Sequence, residues 1–389
     1  MHTSHKIKNN FTTMSRDLQE AIVGFGLPTR CAASVASDDN PLFLVASCSV
    51  KDDNEIYLVQ YDPISNAAAI KKVFAHGKEI RQMSTLHTDP SFVFTSTPEK
   101  PGFPSVTAMY NLLDNAPTSR MGEISLKYTF PLKHLAKIIQ APHDPKLLGI
   151  LTKEGLSLWT DLGSEWKLST STPSPYNWTK CGDNLTMSWD PLHLEYVATG
   201  SGKSIVITDI RTGSRAMEIT TAHLGDVKCV DYAPTTQYRL ASGSKDGSVA
   251  LWDTRNASKE IMSFDAHSHW VESLSFNPFH DELLLTTSTD KAVKIWNVGA
   301  STGGLTTSLS SSSVTSSSTL FGSLSSTRSE RITPVEESFR HEDTVYSSCW
   351  CISDAHPWHY ITVSQLGLAA IGTVTNKTQY SILLRGSSF

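Results

Sequence analysis

The chain has 389 residues, 39% hydrophobic and 9% aromatic, enough to bury a sizeable core, so the bulk of it is globular. A net charge of −5 without a basic stripe argues against nucleic acid as a partner. Six cysteines with no matched C-x-x-C pairs exclude a disulfide framework, and no stretch approaches the roughly 18 consecutive apolar residues of a membrane span.

Residues 1–18 read as a disordered, polar tail without an apolar signal core, which predicts a cytoplasmic protein not inserted in a membrane. Residues 24–31 are open to two readings: the first strand of the first repeat, or an N-terminal strand pairing with residues 379–384. Weak copies of a strand-turn-strand unit follow at 41–62, 75–97, 133–162 and 181–210. The clear copies come next. AHLGDVKCVDYAPTTQYRLASGSKDGSVALWD (222–253) and AHSHWVESLSFNPFHDELLLTTSTDKAVKIWN (266–297) align without a gap at an offset of 44 residues. Each reads as an alternating strand, a Pro-containing turn, an apolar strand, an Asp-bearing tight turn and a third strand ending in Trp. In the first copy these are 227–232, 239–243 and 248–252, with a fourth strand near 260–265.

From His267 to His341 the interval grows to 74 residues. The excess is a Ser/Thr/Gly run that cannot bury enough apolar surface to offset its ordering entropy, so residues 299–332 are expected to form a disordered insertion. Residues 335–339 then supply a fourth strand. RHEDTVYSSCW (340–350) opens a last unit ending near residue 384, with Leu366 where Asp is expected and no Trp in its third strand. Cys349 and Cys351, two apart on a strand, point to one face as small buried hydrophobes. The period matches the roughly 40 to 45 residues of WD40 repeats, and seven candidate units predict an all-β, closed seven-bladed WD40-type β-propeller over residues 19–385, interrupted by the insertion.

Ser242, His223 and Asp246 imitate a catalytic triad, but the same types recur as Ser288, His267 and Asp290. Catalysis needs one constellation, not a repeated one. A structural network explains the repetition: His donates to Asp, and a hydroxyl links His to the indole of Trp252 or Trp296. Phosphate loops, dinucleotide fingerprints and metal-ligand spacings are absent, so no enzyme activity, cofactor, metal or small-molecule substrate is expected.

The strings HSHWV, FNPFHDELLLT, RHEDTVYSSCW, DAHPW and QYSILL, with DNEIYLVQYD nearer the N-terminus, resemble the EARP-interacting protein family of WD40 proteins. The resemblance implies an adaptor that binds subunits of EARP- and GARP-type tethering complexes, recruited to endosomes and the trans-Golgi network for retrograde traffic and recycling. A different function is suggested by Trp252-Asp253-Thr254-Arg255. The pattern W-D-x-R resembles the DWD box of cullin-RING ligase substrate receptors, in which Arg255 would touch the ligase adaptor.

Turns between rigid strands carry freely variable side chains. Trp270 falls in such a turn three residues after His267, where Asp226 and Thr344 stand in the neighbouring units, so the network does not require an indole there. It either lies over Pro278 or a neighbouring blade, or anchors a partner, with His269, Glu342 and Asp343 as a polar rim.

Overall fold

The repeat of 44 residues corresponds, in the computed structural model of the chain, to one four-stranded antiparallel sheet. The structure describes residues 20–385 apart from 38, 87–88, 99–105, 114–119, 133–136, 164, 174–185, 259, 300–333 and 339. The expected 1–18 tail and residues 300–332 of the expected insertion lie outside the described residues.

Strand β1 (Ala21–Gly24) precedes the first unit, which is β2 (Thr29–Val35), β3 (Leu42–Ser47), β4 (Glu55–Asp62) and β5 (Ala67–Ala75). The second holds β6 (Gln82–Thr85), β7 (Phe92–Ser96), β8 (Thr107–Leu113) and β9 (Met121–Phe130). The third holds β10 (Lys137–Gln140), β11 (Leu147–Thr152), β12 (Gly155–Asp161) and β13 (Trp166–Pro173). The fourth is β14 (Thr186–Trp189), β15 (Tyr196–Ser201), β16 (Ser204–Asp209) and β17 (Ser214–Ile219). The two clear sequence copies give β18 (Val227–Tyr232), β19 (Arg239–Ser244), β20 (Ser248–Asp253) and β21 (Glu260–Asp265), then β22 (Val271–Phe276), β23 (Leu283–Ser288), β24 (Val293–Asn297) and β25 (Glu336–Glu337). The last unit is β26 (Val345–Trp350), β27 (His359–Ser364) and β28 (Leu368–Thr373), followed by helix α1 (Asn376–Arg385).

The middle strands are buried on both faces, as in β19 and β23, where all six residues are inaccessible. A lone sheet with two apolar faces must be covered on each side, and the repeat array does this by stacking sheet on sheet. One apolar cluster lies between each pair of successive sheets. Phe43, Val45 and Tyr57 of the first unit meet Ile361, Val363 and Ile371 of the last, so the stack returns on itself. The innermost strands likewise touch in turn from β2 round to β26 and back to β2. Cys351 and, partly buried, Cys349 join that closing cluster.

Closure differs from both readings of the N-terminal segment. β1 pairs with β28, Ala21 opposite Ile371 and Gly24 opposite Leu368, so the outermost strand of the last sheet comes from the start of the chain. The first unit begins only at Thr29. Residues 379–384 are helical rather than extended: Thr378 and Ile382, four apart, are the buried positions, and Ile382 packs with Val374, Trp350 and Tyr360. That spacing is one helical turn, which puts both on one face. A second departure is the parallel pairing of β5 with β9, Val73 opposite Met121, which joins the first two units into one eight-stranded sheet.

Candidate partner-docking rim

The networks that brace the rim are built from a turn histidine and a hydroxyl in the second strand of the following sheet. In the fifth unit His223 Nε2 lies 2.7 Å from Ser242 Oγ, which also accepts the Trp252 indole N–H at 2.8 Å. In the sixth, His267 Nε2 lies 2.9 Å from Thr286 Oγ1, and the Trp296 indole donates to the same oxygen at 2.9 Å. The linking hydroxyl is therefore Thr286, not Ser288. Ser288 instead accepts the Asp290 amide at 3.0 Å and is fully buried. The 44-residue offset carries Ser242 onto Thr286, so the signal was present in the alignment.

The carboxylates differ too. Asp290 sits 3.1 Å from His267 Nδ1, whereas Asp246 is 3.9 Å from His223 Nδ1. Between the latter pair stands the Ser248 hydroxyl, 2.7 Å from the ring nitrogen and donating to Asp246 at 2.6 Å. Ala292 occupies the Ser248 position in the sixth unit, and its lack of a hydroxyl leaves the carboxylate to reach the ring directly. Burial works to raise the Asp246 pKa, but the Ser248 hydroxyl and the Gly225 and Ser248 amides outweigh it and hold it at about 2. For Asp290 burial is likewise overcome, here by His267 and by the Ala292 and Ser268 amides, and the pKa falls further. Burial pushes His223 down to about 4 against the attraction of Asp246, so the imidazole is neutral at physiological pH.

In the seventh unit His341 Nε2 lies 2.9 Å from Thr362 Oγ1. Ten residues beyond Thr362, where the other two units have Trp, stands Gly372. Tyr360, paired opposite it on β27, occupies the vacated volume: a Cβ on Gly372 would come within 2.4 Å of the phenol ring. Tyr360 is 3% exposed and packs against Trp350, so an aromatic ring still fills this interface. Sequence reasoning missed one further pair, His76 Nε2 and Thr95 Oγ1 at 3.0 Å in the second unit. Its 19-residue separation is that of His223 to Ser242.

The networks fix the geometry of the turns above them. Gly247, at φ 86°, turns its carbonyl to accept the His267 amide at 3.0 Å, and a Cβ there would lie 2.4 Å from His267 O. The same bond recurs from His341 to Lys291 and from Phe25 to Gly367. Tight turns between second and third strands thus share one rim with the connections between sheets.

Trp270 stands on that rim, 40% exposed. Side chains of the neighbouring blade face it. Its ring sits 5.6 Å from Lys228 Nζ and 5.4 Å from Lys245 Nζ of the preceding sheet, with the His269 imidazole stacked on it at 5.3 Å. The cations face the ring's electron-rich side, an attraction of about 0.5 to 1 kcal/mol at an exposed site. His269 is exposed and hydrogen-bonds Thr289. Glu342 is exposed and Asp343 accepts the Thr344 amide at 2.7 Å in the next inter-sheet connection of the same rim. Leu224, 86% exposed, and Val50, 73%, stand on other turns of this rim and were not singled out from the sequence, and Leu366, noted there only as replacing an expected Asp, is 55% exposed on it too. Arg255 is elsewhere: it follows the third strand of its sheet, on the opposite rim, where it pairs with Asp253 at 2.6 Å and covers the Tyr238 ring at 4.8 Å.

A closed stack of four-stranded sheets, braced by repeated His–hydroxyl–Trp links, defines a WD-repeat β-propeller. The chain belongs to the EIPR1 beta-propeller family, whose profile matches residues 19–296. It is 28% identical to the EARP-interacting protein homolog of Gekko japonicus, over 94% of this chain and 99% of that one. It is 27% identical to EARP and GARP complex-interacting protein 1 of Homo sapiens, with the same two coverages. The WD repeat-containing protein DWA2 of Arabidopsis thaliana is 27% identical over 90% of this chain and 96% of its own. The family resemblance read from the repeats is thereby borne out.

Proposed function

We propose that the chain is a non-enzymatic adaptor that binds subunits of EARP- and GARP-type tethering complexes, working on the cytoplasmic side of endosomes and the trans-Golgi network in retrograde traffic and recycling. The reading is supported by full-length similarity to proteins named for interaction with those complexes. The observation that carries the docking site is Trp270, a large ring half out of solvent on a rim held rigid by buried networks. Trp is enriched among binding hot spots, where truncation costs about 2 kcal/mol or more. His269, Glu342 and Asp343 supply polar neighbours on the same rim. Among the described residues no helix is long and apolar enough to cross a membrane.

The test is recovery of tethering subunits on purified protein carrying Trp270→Ala, with circular dichroism and melting as controls. Reduced recovery with an intact fold is expected. Undiminished recovery would move the site to the opposite rim. Arg255→Ala in the same assay, probed for cullin subunits, tests the ligase alternative. Arg255 is already engaged by Asp253 and Tyr238, so no loss of cullin recovery is expected.

A further inference from the structure

The innermost strands surround a central channel of about 580 Å³. Its wall carries four cationic side chains, Arg30, Arg81, Lys137 and Lys228, against the carboxylates Asp231 and Glu272. The chain as a whole has a net charge of −5, so the channel is of opposite sign to the molecule. Two of the cations have close partners: Lys228 Nζ lies 3.0 Å from Glu272, and Arg81 Nε lies 2.5 Å from the buried Glu79. Among the described residues the other two have no ion pair within 4.0 Å. Arg30 lies with its guanidinium 4.4 Å from the centre of the Tyr346 ring, and the lining carboxylate opposite Lys137, Asp231, already accepts the Ser188 hydroxyl at 3.1 Å and the Phe276 amide at 2.9 Å.

Charges facing one another across a narrow passage with low-dielectric walls focus their field into it. These cations come from the first, second, third and fifth sheets, so they approach the axis from well-separated directions. A monovalent anion would satisfy one or two of them. We propose that the central channel binds a small polyanion bearing several phosphate groups, with Arg30 and Lys137 as its principal contacts and Arg81 and Lys228 flanking them. The compact charge of a cyclic polyphosphate and that of a linear one share the chemistry this wall recognises. The channel site adjoins the rim assigned to protein partners at Lys228, whose Nζ also lies 5.6 Å from the Trp270 ring, while Arg30 and Lys137 lie on strands of other sheets.

The experiment is isothermal titration calorimetry of the full chain with inositol hexakisphosphate and, separately, with inorganic tripolyphosphate, at two ionic strengths. Saturable one-site binding of at least one probe, weaker at the higher salt, is expected, and the preferred probe tells a cyclic ligand from a linear one. Arg30→Gln and Lys137→Gln should each weaken it by roughly tenfold or more, since each removes a full charge from a confined site. The substitution Lys51→Gln, at an exposed turn, should leave it unchanged. Because loss of binding could reflect misfolding, Glu272→Gln acts as a gain-of-binding control: it removes a negative charge from the channel wall, so affinity should rise. Absence of saturable binding by both probes, indifference to the two channel substitutions, or no gain with Glu272→Gln would each overturn the assignment.

Discussion

Lowering the pH from 7.5 to 5 should destabilise the propeller through its buried histidines well before any carboxylate of the networks is protonated. His223, His341 and His359 are 6%, 2% and 9% exposed, and burial brings each down to about 4 from the ordinary 6.5. Between those values the unfolded chain binds protons that the fold refuses. The stability these groups contribute is therefore complete above pH 6.5 and is lost as pH falls towards 4. At pH 5 the loss is about 2 kcal/mol for each histidine, or about 6 kcal/mol for the three. Asp231 works in the other direction: burial raises its pKa to about 6, so the folded carboxyl takes up its proton first and recovers about 1 kcal/mol over the same window. Asp246 and Asp290 change nothing at pH 5, because their pKa values are depressed and their contribution fades only below about pH 4. The net loss of about 5 kcal/mol is a large share of a typical folding free energy. Urea unfolding followed by Trp fluorescence, at constant ionic strength, measures it. His341→Gln should flatten the pH dependence by about 2 kcal/mol. Equal midpoints at the two pH values, or a His341→Gln slope like that of the parent, would refute the reasoning.

Trp296→Ala, which removes a ring 1% exposed and 4.6 Å from Phe264, should cost about 3 to 5 kcal/mol; a parental urea midpoint would show that the ring does not fill this interface. Thr286→Val leaves the Trp296 indole N–H and the His267 Nε2 without their shared hydroxyl partner and should cost about 2 kcal/mol or more, whereas Ser288→Ala, which frees only the Asp290 amide, should cost about 1. Equal losses in chemical denaturation would contradict the register given to the network. Deleting residues 1–18 should leave the melting temperature in place, while deleting residues 1–25 bares the edge of β28 and should lower it and open the last sheet to limited proteolysis. Matching proteolysis patterns for the two truncations would rule out closure by β1.

Much of the fold was legible because a WD-type repeat is a local object. Within one copy, the turn histidine, the apolar second strand and the terminal Trp lie within about 30 residues, and the 44-residue offset between two copies sets strand order without any knowledge of the third dimension. The fourth strand beyond the insertion was likewise found from its neighbours, and β25 pairs with Lys294 and Ile295 as that placement requires. What depended on contacts between distant parts of the chain was not legible. Closure joins Ala21 to Ile371, and no periodic signal links two segments some 350 residues apart, so the QYSILL string was open to a strand reading although Thr378 and Ile382 form a helical face. Which hydroxyl serves each histidine was present in the alignment, where Ser242 falls on Thr286 and Ser248 on Ala292, but the resulting histidine–aspartate separations of 3.9 and 3.1 Å came only from the structure. The sequence thus determined the repeated unit, because hydrophobic alternation and turn chemistry act over a few residues. Only the tertiary structure decided how the ring shuts, that Tyr360 replaces a missing Trp from the neighbouring strand, and that cations from four separate sheets face a common channel, because each of these depends on packing between elements far apart in the chain.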